Sequence, residues 1–270
     1  MDSTGRIWVA LDCAKDKALS IADKIGNHSA VLGFKVNRLI DQESFRRDGE
    51  PRLFEELTKH GKAIWADIKA IDIPETVAGR IAPYAESGLV QFVTVMAKGE
   101  IEMMMAAVKA GLGPVVSDEI IEVKTSIIAV TELTSLSEEQ VHLGSGQPAK
   151  ASVIQLARNA VLAGVVYLVC SGQELEVLAK RPELRGLKKF VPAITPVWSA
   201  GPGYDQKRVV TPELALKKGA DALVIGRAII NADDPLEAVE KTAAEIEVLT
   251  ADSAQPITVK PQHAYKGEMG

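Results

Sequence analysis

Ala63-Ile64-Trp65-Ala66-Asp67-Ile68-Lys69-Ala70-Ile71-Asp72-Ile73-Pro74-Glu75-Thr76 decides how the rest of this 270-residue chain is read. Side chains alternate across a strand, so Asp67 and Lys69 leave one face of a sheet two residues apart, and Ile64, Ala66 and Ile68 take the other. A carboxylate and an ammonium then share one face at the strand's end. Asp72 falls where the strand has given way to a turn. Pro74 and Glu75 suit a first helical turn, where a missing N–H costs nothing and the helix dipole favours an anion. A surface turn with ordinary solvated charges also shows D-x-K. Here an apolar strand stands directly before the charges, and parallel α/β folds place their chemistry at the turn after such a strand.

Outward from this stretch, strand-like apolar runs recur at Ile7 to Leu11, Val31 to Val36, Ala63 to Asp67, Leu89 to Val95, Ser126 to Val130, Val165 to Cys170, Phe190 to Ile194 and Ala222 to Ile225. Helical periodicity lies between them, at Ala14 to Ile25, Glu75 to Glu86, Ile101 to Ala110, Ala151 to Ala163, Glu174 to Lys180 and Pro212 to Lys218. Eight strands alternating with helices over about 250 residues predict a closed (β/α)₈ TIM barrel in a single domain, residues 1–250. A doubly wound open sheet is the alternative. Residues 251–270, with Pro256, Pro261 and Gly267 and little periodicity, read as a C-terminal extension to which no function is assigned. Leu112 to Thr125 is longer than an ordinary connection and leaves room for an extra hairpin or helix.

Apolar residues at 47% and charged residues at 25% fit a globular protein with a sizeable core. A net charge of −5 argues against a nucleic-acid surface or a polybasic membrane patch, so a negative ligand has to be met by local charge. The N-terminus shows no basic segment leading into an apolar one, and no run approaches a membrane span, which predicts a cytoplasmic protein. Cys13 and Cys170 are the only cysteines, and His28, His60, His142 and His263 have no metal-ligand spacing. Neither a disulfide nor a metal site is expected.

In a barrel, the polar residues that end each apolar run converge on one rim. They are Asp12 after strand one, Lys35 in strand two, Asp67 and Lys69 at strand three, and Gly226 with Arg227 after strand eight. Strand eight is where (β/α)₈ enzymes often hold phosphate, through loop amides and a short helix. Arg227 can pair bidentately with phosphate, and Gly226 lets the backbone approach. The segment Thr195 to Gln206, rich in Gly and Pro, reads as a lid.

Asp67-Ile68-Lys69-Ala70-Ile71-Asp72-Ile73-Pro74-Glu75-Thr76 resembles the D-x-K-x-x-D-I-P-x-T signature of orotidine 5'-phosphate decarboxylases. The likeness runs from about Ile7 to Ile246 and includes A-L-D at strand one, F-K-V at strand two, V-C-S at strand six and V-I-G-R at strand eight. It implies cofactor-independent decarboxylation of orotidine 5'-monophosphate to UMP and CO₂. It also implies a catalytic array of Lys35, Asp67, Lys69 and Asp72, with Lys69 stabilising and protonating C6 and Asp67 crowding the departing carboxylate. By the same resemblance, Thr134 in Ala129-Val130-Thr131-Glu132-Leu133-Thr134-Ser135 meets the pyrimidine, and Gln206 with Arg227 grips the phosphate. Asp12 and Lys35 also bind substrate, and the active site is completed across a homodimer by Asp72, Ile73 and Thr76 of the neighbour.

Two departures stand out. Thr195-Pro196-Val197-Trp198-Ser199 replaces the common T-P-G-I-R, so the usual loop arginine is missing, and Met96 stands where a His is frequent. Two rivals share these motifs: an Mg²⁺-dependent sugar-phosphate decarboxylase or aldolase of the same barrel group, and a catalytically silent barrel that binds nucleotide phosphate.

Overall fold

The computed structural model describes residues 3–43, 52–113, 124–200 and 210–247. Each apolar run becomes a parallel strand: β1 (Ile7–Ala10), β2 (Val31–Val36), β3 (Ala63–Ala70), β4 (Phe92–Met96), β5 (Ser126–Val130), β6 (Tyr167–Val169), β7 (Lys188–Val191) and β8 (Ala222–Ile225). Every strand pairs with the next and β8 pairs with β1, which closes a (β/α)₈ barrel. The open-sheet alternative is thereby excluded.

Helices α1 (Lys15–Ile25), α2 (Arg38–Glu43), α3 (Leu53–Thr58), α4 (Pro74–Ser87), α5 (Glu100–Gly111), α6 (Glu138–Ser145), α7 (Ala149–Leu162), α8 (Leu175–Ala179), α9 (Pro212–Lys217), α10 (Arg227–Ile230) and α11 (Pro235–Glu247) follow their strands. Pro74 opens α4 with Glu75 in its first turn, as the sequence predicts. No helix among the described residues is long and apolar enough to cross a membrane. The expected extension 251–270 and most of the long connection, 114–123, lie outside the described residues.

Strand boundaries move where backbone chemistry requires it. β7 ends at Val191 rather than Ile194, because Pro192 has no N–H to give the ladder and Ala193 turns into a left-handed conformation at φ +58. β4 begins at Phe92 rather than Leu89. Ahead of it the Gln91 side chain takes the Ile64 N–H (2.8 Å), while Gln91's own N–H goes to Ile64 O (3.0 Å). β3 runs past Asp67 to Ala70, with a register shift: Ala66 pairs with Val93 but Ala70 with Val95. Four residues of β3 thus span two of β4, and the bulge falls on Asp67 to Lys69.

The alternation produces two cores. Ile7, Val9, Phe34, Ile64 and Ala66 point outward and pack beneath the helices, whereas Trp8, Trp65, Phe92, Tyr167 and Phe190 fill the barrel. Trp8 meets the edges of Trp65 and Phe92 with ring centroids 5.4 Å away. Gly33 makes this plug possible. A Cβ there would stand 2.1 Å from Ala63 O and 2.5 Å from Trp8 Cζ3. The aromatic layer seals one part of the barrel and leaves the C-terminal strand ends free to form a site.

Candidate active site

A cavity of about 610 Å³ opens at the C-terminal ends of the strands, within the size range of small-molecule sites. Asp67 is its centre. Its side chain is 6% exposed, and one oxygen, Oδ2, accepts from both Lys35 Nζ (2.8 Å) and Lys69 Nζ (2.7 Å). The other oxygen, Oδ1, accepts from Thr94 Oγ1 (2.9 Å), which in turn accepts from the Lys69 backbone N–H (3.2 Å). Burial alone would push the Asp67 carboxyl up, but the two ammonium groups and their hydrogen bonds hold it below the usual carboxylate range.

The bulge in β3 accounts for this convergence. Two residues of a flat strand place their side chains side by side, pointing away from the sheet. Lys69, at φ +46, leaves that geometry, and its ammonium reaches back to Asp67. Asn37 Nδ2, just past the end of β2, donates to Asp67 O (2.5 Å).

Of the other residues singled out by sequence, Asp12, Thr134, Gly226 and Arg227 line the same cavity. Asp12, half exposed, is 3.8 Å from Lys35 Nζ. Arg227 is the first residue of α10 and makes no ion pair with any described residue. A Cβ at Gly226 would meet Ala10 only at ordinary contact, 3.5 Å. Asp72, Ile73 and Thr76 are exposed and outside the cavity lining, and Asp72 Oδ1 accepts from the Ile73 N–H (2.7 Å). A single chain therefore gathers Lys35, Asp67 and Lys69 but leaves Asp72 apart. Gln206 lies outside the described residues, and of the lid segment only its first part is described. There Trp198 N–H and Val197 N–H donate to the Glu245 carboxylate (3.2 and 3.1 Å).

The model of the orotidine 5'-phosphate decarboxylase / HUMPS family matches residues 5–242. The chain belongs to this family. Among its relatives, the orotidine 5'-phosphate decarboxylase of Saccharophagus degradans is 40% identical over 208 residues, covering 77% of this chain and 82% of that protein. That of Idiomarina loihiensis is 37% identical over 247 residues, covering 91% and 97%. The crystal structure of orotidine 5'-phosphate decarboxylase from Lactobacillus acidophilus superposes with a TM-score of 0.70 at 27% identity, over 89% of this chain and 98% of that one.

Several residues that support or line this family member's cavity escape a reading by sequence. Thr94 and Asn37 are uncharged and sit inside or just beyond apolar runs, where nothing local marks them. Only the strand pairing brings them to Asp67. Glu132 is 3% exposed in the cavity wall, yet in sequence it is one acidic residue in a turn. A usable signal existed, since Glu132 stands two residues past the end of a strand, as Asp12 does. Cys170 is fully buried and its thiol is pushed up by burial, which suits a packing residue rather than a reactive one.

Proposed function

We propose that the protein decarboxylates orotidine 5'-monophosphate to UMP and CO₂. The observation that carries this reading is one buried carboxylate bonded to two ammonium groups, on the floor of a cavity whose rim holds Arg227, which has no ion-pair partner among the described residues. The C6–carboxylate bond breaks, CO₂ leaves, and the electron pair remains in an sp² orbital that the ring delocalises poorly. Fixed positive charge is the stabilisation such a pair needs. Lys69 supplies it and passes a proton from Nζ to C6, to be reprotonated from water. Asp67 holds Lys69 in place and stands against the departing carboxylate. Lys35 keeps Asp67 ionised, and Thr94 fixes the carboxylate's rotation.

Thr134 contacts the pyrimidine, while Arg227, with Gln206 and loop amides, takes the phosphate. Asp72, Ile73 and Thr76, exposed on their own chain, complete the site of a second copy in a homodimer, and the protein acts in the cytoplasm in pyrimidine biosynthesis. Their exposed placement, from the turn after β3 into the first residues of α4, is what supports this assembly.

The direct test is loss of orotate-type absorbance on adding orotidine 5'-monophosphate, with and without EDTA. Turnover unaffected by EDTA is expected, because the fixed charges do the work assigned elsewhere to a metal. No turnover at micromolar enzyme would retire the reading, and EDTA-sensitive turnover of a sugar phosphate would replace it with the Mg²⁺-dependent alternative. For the dimer, Lys69→Ala and Asp72→Ala proteins are inactive singly. Co-refolded, they regain roughly a quarter of wild-type activity, because half the dimers are mixed and each of those has one intact site. Confirmed heterodimers without recovery would return Asp72 to its own chain's site.

A further inference from the structure

The cavity wall at β5 carries a second charged cluster that the proposed chemistry leaves unused. Glu132 lines the cavity beside Leu133 and Thr134. Lys98 Nζ stands 2.7 Å from its Oε2, and Ser152 Oγ donates to its Oε1 at 2.7 Å. Lys98 lies in the short 3₁₀ turn Ala97–Gly99 that joins β4 to α5, and Ser152 lies on α7. The same face of α7 continues the network. Gln155 Nε2 donates to Asn159 Oδ1 (2.9 Å), and Asn159 Nδ2 donates to Glu100 Oε2 (3.0 Å). Glu100 is held at φ +69 and ψ 178, backbone that is essentially glycine's own. Residues 152, 155 and 159 of one helix thus tie the turn after β4 to the turn after β5.

Both features are costly. Burying the Glu132 carboxylate costs desolvation that its partly exposed Lys98 partner offsets only in part, and an apolar side chain of similar volume would serve the fold as well. Strain at a non-glycine residue adds to the cost. The buried charge sits on the turn that carries Thr134, and the strain sits two residues after Lys98, which holds that charge. The chain also links this cluster to the catalytic floor: Thr94 of β4 orients Asp67 and Lys69, and four residues on, in the turn after β4, Lys98 grips Glu132.

We propose that Glu132, clamped by Lys98 and Ser152, is a positioning residue that sets the Thr131 to Ser135 turn for the heterocyclic base of the nucleotide. This rests on the decarboxylase reading, in which Thr134 meets that base. Glu132 acts through the turn, and the ribose and phosphate contacts do not depend on it.

The test compares dissociation constants of UMP and ribose 5-phosphate for the full-length wild type, Glu132→Leu, Lys98→Met and Lys98→Arg. Glu132→Leu and Lys98→Met are expected to weaken UMP binding about fivefold or more, ~1 kcal/mol, while ribose 5-phosphate binding changes less than about twofold. Lys98→Arg, which keeps the charge, restores UMP binding. Equal losses for both ligands, which a merely structural role gives, would overturn the proposal, and so would no loss for either. Should Glu132→Leu fail to fold, the two Lys98 variants carry the test, because that side chain is 36% exposed. Failure of the underlying reading looks different: the wild type would then neither consume orotidine 5'-monophosphate nor bind UMP more tightly than ribose 5-phosphate.

Discussion

Replacing Lys69 with glycine and, separately, with alanine isolates the strain held in the strand bulge. Both changes remove the ammonium 2.7 Å from Asp67 Oδ2, so the lost ion pair is common to the two and cancels in their difference. The backbone does not cancel. At φ +46 a Cβ costs roughly 1–2 kcal/mol, whereas glycine adopts this conformation freely. Glycine's greater freedom in the unfolded chain takes back about 0.4–1 kcal/mol. The glycine variant should therefore be the more stable by about 0.5–1 kcal/mol, a Tm higher by roughly 1–4 °C for a chain of this size. Urea unfolding followed by circular dichroism, with a thermal melt beside it, reads the difference, and turnover of orotidine 5'-monophosphate should be at background in both. A glycine variant no more stable than the alanine variant in either measurement would refute the strain argument. Substantial turnover in either would remove Lys69 from its role as proton donor.

Gly33→Ala drives a Cβ against Ala63 O, a backbone atom with nowhere to go, and should cost about 2 kcal/mol or more in urea unfolding; an unchanged midpoint would mean that the Trp8 plug yields easily. Asp67, whose carboxyl is held below its unfolded value, contributes stability that is present above about pH 4 and lost as pH falls through the folded value. Asp67→Asn should therefore flatten the acid limb of stability against pH, and an unaltered limb would contradict this. Glu174 has the opposite sign. Burial, aided by Glu132 and Glu138, pushes it up to about 7, so the native state holds a proton that the unfolded state has released, and stability falls as pH rises towards 7. Glu174→Gln keeps an acceptor for the Ser171 N–H and should raise stability at pH 8 by on the order of 2 kcal/mol while changing it little at pH 4, as thermal melts at the two pH values would show. Arg227→Ala should lower kcat/KM for the nucleotide by roughly 1.5–3 kcal/mol, since remote phosphate binding orients the ring; phosphate-free orotidine processed as well as the nucleotide would refute that.

The barrel was legible because it rests on periodicity, which a single chain displays in full. Val31 to Val36, Ser126 to Val130 and Ala222 to Ile225 are strands with the boundaries the pattern predicts. The site was legible where it is carried by charge, at Lys35, Asp67, Lys69 and Arg227. It was illegible where it depends on register. No local pattern tells that four residues of β3 lie opposite two of β4, and this offset is what bends Lys69 back onto Asp67 and brings Thr94 beneath them both. The strained residues were hidden for the same reason. Of the non-glycine residues at positive φ among those described, Lys69 lies in the bulge that ends β3, and Glu100 and Ala193 come after β4 and β7, where tertiary contacts override what each residue would choose alone.

Charge balance links the floor of the cavity to the ligand it is built to hold. One carboxylate faces two ammonium groups, so the Lys35, Asp67 and Lys69 cluster carries a surplus of one positive charge. Asp12 offsets it only weakly, being half exposed and 3.8 Å from Lys35, in surroundings where solvent screens most of the attraction. Lys35 is 10% exposed and has Asp67 beside it, whereas Lys69 is 34% exposed, so the surplus is presented on the Lys69 side. Arg227 adds a second positive charge with no described partner at the rim. A cavity with a cation at the floor and another at the rim selects a ligand anionic at both ends, and orotidine 5'-monophosphate has its carboxylate at one and its phosphate at the other. In the proposed reaction, once CO₂ has left, the floor meets a carbanion in place of the carboxylate, while the rim still holds the same phosphate. The contacts at the rim are therefore made equally before and after the chemical step. Only the Lys69 end gains in the transition state, which is where catalysis requires the interaction to strengthen.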